Sequence, residues 1–195
     1  MDAGAALQLI LDAHVLKRVP RTGWVLRGVA DAESVADHSY GVALISLVLS
    51  ELVDQPLDKA KLLTIALLHD LSESVTGDIP SPAGVHFAPG AKREAEARVL
   101  QTLLCHFPSA DRWQAWWQEY ETGASAEGRL VRDADRLDML VQAHVYERTT
   151  GNRCLDEFWS GVEADTFEFA PARALFEALS GLRCRQNEER ICPDG

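Results

Sequence analysis

Leu62-Leu63-Thr64-Ile65-Ala66-Leu67-Leu68-His69-Asp70-Leu71-Ser72-Glu73 is the stretch that decides the fold. From Leu62 to Leu71 it is almost all apolar, which predicts a helix buried on most sides. The polar pair His69-Asp70 at the end of such a run is conspicuous. If the helix persists to Glu73, that carboxylate follows His69 by four positions and Asp70 by three, so all three side chains reach one surface. Burying these groups without partners is costly. Either a metal ion or a private salt-bridge network has to compensate.

The pattern on both sides of this stretch is also helical. Residues 5–15 carry apolar side chains at helical spacing, and Pro20 stops any helix there. Arg21-Thr22-Gly23 reads as a turn or loop. Residues 33–53 form a strong amphipathic stretch, with Val35, Val42, Ile45, Leu49 and Leu52 near one face. Asp31 or Ser34 is suited to cap its start, and Asp58 to cap the next helix after Pro56. Gly77-Asp78-Ile79-Pro80-Ser81-Pro82 enforces a loop, with irregular chain to Gly90. Helical spacing returns over 92–107, 111–121, 126–146 and 171–182, and the tail after Arg183 reads as loosely ordered. Trp113, Trp116, Trp117 and Tyr120 make an aromatic stripe expected in the core. No repeat and no useful strand alternation appears. The fold class is all-α, one domain over residues 1–195.

Composition narrows the function classes. Of 195 residues, 47% are apolar and 25% charged, ordinary for a globular protein. No apolar window is expected to cross a bilayer, so no membrane partner is expected. Met1-Asp2-Ala3-Gly4 lacks the basic start of a signal peptide, which predicts a cytoplasmic chain. Cys105, Cys154, Cys184 and Cys192 form no CxxC pair and read as reduced packing or surface thiols. The formal net charge of −11 repels a phosphate backbone and argues against nucleic acid as a partner. An anionic substrate would need local positive charge, from a metal or a placed arginine.

Two further places match the His69-Asp70 pair. His38 lies in Ser34-Val35-Ala36-Asp37-His38-Ser39, early in the 33–53 helix, and Asp135 lies in Val131-Arg132-Asp133-Ala134-Asp135-Arg136-Leu137. Two imidazoles and two carboxylates suit a borderline divalent ion such as Mn²⁺, Co²⁺, Fe²⁺ or Zn²⁺. Octahedral coordination would leave two positions for water and substrate. On spacing alone, a satisfied structural histidine is the better reading for any one of these residues. His14, His86, His106 and His144 lack partners at ligand spacing and read as surface or packing residues. Asp133 reads as solvated, as does the run Glu188-Glu189-Arg190. Asp138 and Gln142 fall on the face of Asp135, where they either orient ligands or make ordinary interhelical hydrogen bonds.

The order His…His-Asp…Asp on successive helices resembles the HD superfamily of metal-dependent phosphohydrolases, and more narrowly the bacterial 5′-deoxynucleotidases. The matching pieces are the stretch from Leu16 to Trp24, Glu33-Ser34-Val35-Ala36-Asp37-His38-Ser39, Ala66 to Glu73, Thr76-Gly77-Asp78-Ile79-Pro80-Ser81-Pro82, and Ala134-Asp135-Arg136-Leu137. They occur in family order across about residues 7–150. The resemblance implies that His38, His69, Asp70 and Asp135 hold one divalent ion, Co²⁺, Mn²⁺ or another transition metal, with Mg²⁺ or Zn²⁺ as alternatives. It implies Glu73 as the proton-transfer group. It puts Asp70 and the loop of Asp78, Ile79, Pro80 and Ser81 against a nucleotide, with Arg21 orienting the phosphate and Trp24 as its aromatic neighbour. Arginine and tryptophan are adjacent in the shorter bacterial pattern but not here, so Arg18 and Arg27 stay open as alternatives. The implied reaction is hydrolysis of a deoxynucleoside 5′-monophosphate by a homodimer.

Other chemistries of the superfamily fit less well. Glu73 is followed by Ser74 instead of the aspartate usual in the small pyrophosphohydrolases. No Gly-Tyr-Pro signature of cyclic-dinucleotide phosphodiesterases occurs. A general 5′-nucleotidase and a nucleotide-binding protein without turnover remain alternatives.

Overall fold

The computed structural model describes residues 3–191. Its regular structure is helical: α1 (Ala3–His14), α2 (Thr22–Val25), α3 (Val35–Leu52), α4 (Lys59–Leu68), α5 (Glu73–Thr76), α6 (Ser81–Gly84), α7 (Ala91–Leu104), α8 (Ala110–Thr122), α9 (Ala126–Thr150), α10 (Asp156–Trp159) and α11 (Ala170–Ile191). No strand occurs among the described residues, only an isolated antiparallel bridge between Pro20 and Ser34.

The long helices start where their caps are. Ser34 caps α3 in a reciprocal box with Asp37, whose carboxylate accepts from the Ser34 N–H at 2.9 Å. Asp58 caps α4 by accepting from the Lys61 N–H at 3.0 Å. α3 packs against α9 and α4, and α9 also meets α8 and α11. Val42, Leu49, Leu62, Ile65, Leu130, Leu137 and Leu140 fill the space between them. A second cluster around Leu68, Leu71, Leu100, Leu104 and Trp117 joins the end of α4 to α7 and α8.

Gly41 lets α3 approach α9 closely. A Cβ there would lie 2.0 Å from the Asp138 Oδ1. Gly77 ends α5 at φ 71°, a backbone region that favours glycine, and so turns the chain toward Asp78.

Several expectations are corrected. The helix through Leu62–Leu68 stops there. His69–Ser72 form tight turns, with Leu71 N–H bonding to the Leu68 carbonyl and Glu73 N–H to the Asp70 carbonyl, before α5 begins. That helix is also less enclosed than expected, since Leu67 is exposed. The stretch from Arg21 is not simply a loop, because α2 begins at Thr22. The chain after Arg183 continues α11 to Ile191. α3 is long and apolar enough to span a bilayer by length and composition, with a mean hydropathy of 1.2. Its inner side buries Val35, Val42 and Leu49 fully, while Leu44, Leu47, Val48 and Leu52 on the other side are exposed. Cys105, Cys154 and Cys184 are free and exposed, whereas Cys192 and the side chains of Glu188, Glu189 and Arg190 lie outside the described residues.

Candidate active site

The site forms where α3, the end of α4, α5 and α9 converge. Backbone pairing of residues 19–21 with 33–35 brings Arg21 beside the start of α3: Val35 N–H bonds to the Val19 carbonyl and Arg21 N–H to the Glu33 carbonyl, each at 2.9 Å. Trp117 on α8 donates its indole N–H to the His69 carbonyl at 3.1 Å, which fixes the turn after α4.

The two imidazoles face each other. His38 Nε2 lies 3.4 Å from His69 Nε2. Their outer nitrogens are engaged: His38 Nδ1 is 2.8 Å from Asp138 Oδ2, and His69 Nδ1 is 2.7 Å from the Ala66 carbonyl. In a neutral ring those acceptors keep the proton on Nδ1, which leaves the inward-facing Nε2 as the atom that would bind a cation. Asp135 Oδ1 is 3.2 Å from His38 Nε2, and its Oδ2 accepts from the Tyr120 hydroxyl at 3.0 Å. Asp70 Oδ2 lies 3.3 Å from His69 Nε2 and 3.6 Å from His38 Nε2. One ligand atom each from His38, His69 and Asp135 falls within a 4.8 Å cluster. A divalent ion with bonds of about 2.1 Å spaces neighbouring ligands by about 3.0–3.4 Å, so His38, His69 and Asp135 suit such an ion, with Asp70 beside them.

The electrostatics agree with that donor set. Burial and the Arg21 charge oppose a proton on His38, but Asp135 and Asp138 outweigh them and raise it to about 10. Burial works against a charge on Asp135 too, yet His38 and His69 bring it down to about 2. Asp70 is held well below the usual carboxylate range because His69, Arg21 and His38 outweigh its burial. The pocket thus attracts positive charge strongly.

Glu73 behaves in the opposite way. It is 3% exposed, and its Oε2 is buried without a hydrogen-bond partner among the described residues. Burial, reinforced by Asp70 and Asp78, pushes its carboxyl up to about 9. Arg21 reaches Asp70 Oδ2 at 3.4 Å and Asp78 Oδ1 at 3.3 Å. Asp78 is latched in turn by α2: its carboxylate accepts from the Thr22 N–H and its carbonyl from the Thr22 hydroxyl at 2.8 Å.

These residues open onto a cavity of about 430 Å³, a size suited to a small ligand. Trp24, Ile79, Pro80, Met139 and Phe158 supply its apolar wall, and Lys92, Glu96 and Glu121 its polar rim.

The HD domain family model matches residues 13–170. The chain belongs to the HD domain family. Over 180 residues it is 37% identical to the 5′-deoxynucleotidase HDDC2 of Danio rerio, covering 92% of this chain and 88% of that protein. Human 5′-deoxynucleotidase HDDC2 is 38% identical over 145 residues, covering 74% and 70%. A solved structure, a conserved hypothetical protein from Pyrococcus furiosus, superposes with a TM-score of 0.77 at 39% identity, over 91% of this chain and 98% of that one.

Within this HD domain, His38, His69, Asp70, Glu73, Asp135 and Arg21 converge. Arg27 points elsewhere, paired with Glu157, and Arg18 does not line the cavity. Trp24 lines it, but its indole is buried, packs at a tilt against Phe158 with ring centroids 4.2 Å apart and donates to Glu33 at 2.8 Å. Ile79 and Pro80 line the cavity as well, whereas the Ser81 side chain lies outside the described residues.

Asp133 corrects the solvated reading. It is 3% exposed and accepts the N–H groups of Glu168 and Phe169 at 3.2 and 2.9 Å, tying α9 to the start of α11. Tyr120, Lys92, Glu96, Glu121, Met139 and Phe158 were not singled out by sequence as site residues. Only Tyr120 carried a signal, in the stripe assigned to the core.

Proposed function

We propose that this HD domain protein is a divalent-metal-dependent 5′-deoxynucleotidase that hydrolyses deoxynucleoside 5′-monophosphates to nucleoside and phosphate. The observation that carries this reading is the pair of inward-facing Nε2 atoms, 3.4 Å apart and flanked by Asp70 and Asp135. The relatives named 5′-deoxynucleotidase supply the substrate class.

His38, His69, Asp70 and Asp135 hold the ion. A divalent ion there supplies Lewis acidity toward the phosphoryl oxygens and makes water more acidic. Asp138 and the Ala66 carbonyl fix the two imidazoles. Glu73 is the proton carrier, since its poorly solvated carboxyl holds a proton near neutral pH and can exchange it with water or the leaving oxygen. Arg21 offers its remaining N–H groups to the phosphate, while Asp70 and Asp78 keep its guanidinium in place. Trp24, Phe158, Ile79 and Pro80 wall off the sugar and base. Co²⁺ and Mn²⁺ are the ions we favour, in a cytoplasmic homodimer.

The test is phosphate release from a panel of nucleoside mono-, di- and triphosphates, with divalent ion and with chelator. Release from monophosphates only when the ion is present is expected. Release from tri- or diphosphates alone would overturn the substrate class.

A further inference from the structure

The cavity has a second lobe that the reading above does not use. It encloses about 390 Å³ and shares Arg21, Tyr120, Glu121, Asp135 and Met139 with the first. What it adds is Arg132 and Arg136. Arg132, Asp135, Arg136 and Met139 stand at i, i+3, i+4 and i+7 on α9, so one stripe of that helix lines both lobes.

The charges in the two lobes are not equally engaged. Arg21 is held between Asp70 and Asp78. Lys92 faces Glu96 at 3.4 Å. Arg129, one turn before Arg132, is taken by Glu168 and the Gly123 carbonyl. Arg132 is exposed and makes no hydrogen bond or ion pair among the described residues; it acts on Glu121 only through its field. Arg136 is held loosely, 4.0 Å from Asp133 and 3.4 Å from the Thr166 carbonyl, with its guanidinium over Phe167. In a chain of net charge −11, two lightly engaged guanidinium groups one turn apart beside the cavity are placed to receive an anion.

We propose that Arg132 and Arg136 form a second phosphate-binding subsite, continuous with the metal cavity through Asp135 and Arg21. It takes a phosphate group other than the one being cleaved. That group is either inorganic phosphate on its way out or a further phosphoryl group of a larger nucleotide. The proposal deepens the functional reading above and rests on it for the class of ligand.

Inorganic phosphate is the probe. Equilibrium dialysis of the full chain loaded with divalent ion is expected to give two phosphates per chain. The double variant R132Q/R136Q is expected to retain one, with the second weakened by roughly tenfold or more. Arg129→Gln, which removes a neighbouring arginine outside the lobe, is expected to keep two. Should the double variant not fold, Arg132→Gln alone gives the same reading, since that side chain is exposed.

Steady-state rates separate the two sources. A selective loss of kcat/KM for nucleoside diphosphates assigns the subsite to substrate. Loss of phosphate binding with an unchanged ratio of diphosphate to monophosphate rates assigns it to product. A folded double variant that binds as many phosphates as the native chain would overturn the subsite. If the native chain releases phosphate from no nucleotide, the functional reading fails instead, while the dialysis count still decides the subsite.

Discussion

Asp138 Oδ2 lies 2.8 Å from His38 Nδ1, joining α9 to α3 directly behind the inward-facing Nε2. The contact fixes the tautomer and the ring plane of a residue we assign to the metal. Asp138→Asn keeps the shape but can present an amide N–H to Nδ1, which disfavours the required tautomer. Metal affinity is expected to fall about 10- to 100-fold, measured by competition with a chromophoric chelator. Unchanged affinity would reduce Asp138 to an interhelical contact.

Gly41 leaves the space that Asp138 occupies. In Gly41→Ala the new Cβ would lie 2.0 Å from Asp138 Oδ1 and 2.7 Å from its Cγ, so the carboxylate must swing away from His38. We expect a loss of metal affinity like that of Asp138→Asn, with about 1–3 kcal/mol of destabilisation from overpacking. Chelator competition and thermal unfolding measure the two effects. Native affinity in this variant would mean that His38 needs no carboxylate behind it.

Glu73→Gln preserves volume and removes the titrating proton. Metal content by elemental analysis should stay native, while kcat falls about 10²- to 10⁴-fold. Near-native turnover would give Glu73 a structural role and turn attention to Asp78.

The same carboxyl sets a pH dependence in the metal-free chain. Burial, with Asp70 and Asp78, raises Glu73 from 4.5 to about 9, so across that window the folded chain holds a proton that the unfolded chain has released. Stability contributed by this proton is complete below 4.5 and is lost as pH rises through the folded value. His38, raised from 6.5 to about 10 against burial and Arg21 by Asp135 and Asp138, adds a loss of the same sign over its own window. Denaturant midpoints of the chelated protein should therefore fall with rising pH, and Glu73→Gln should flatten the slope. Midpoints that rise with pH across this range would contradict the assignment.

The helices were legible because their apolar spacing and caps are local. Asp58 marked α4 in this way, and of the two cap candidates for α3, Asp31 and Ser34, the structure uses Ser34. The break after Leu68 was not legible, because Leu71 and Ser72 carry no proline or glycine signal. Glu73 still reaches the cavity, since the turns at His69–Ser72 keep the chain compact there. Arg21 could not be told from Arg18 and Arg27 by sequence, because the pairing of residues 19–21 with 33–35 selects it. Asp133 misled because its partners, the N–H groups of Glu168 and Phe169, lie 35 and 36 residues away. Tyr120 was hidden by periodicity: one aromatic stripe buries Trp117 and also turns a hydroxyl to Asp135.

The central claim is tested most directly by kcat/KM for matched pairs, dAMP against AMP and dGMP against GMP, measured as phosphate release under Co²⁺ and Mn²⁺. A wall that excludes the ribose 2′-hydroxyl is worth about 1–3 kcal/mol, so the deoxy substrates should be favoured by roughly 10- to 200-fold. Equal values for the two sugars would contradict the account and leave a general 5′-nucleotidase.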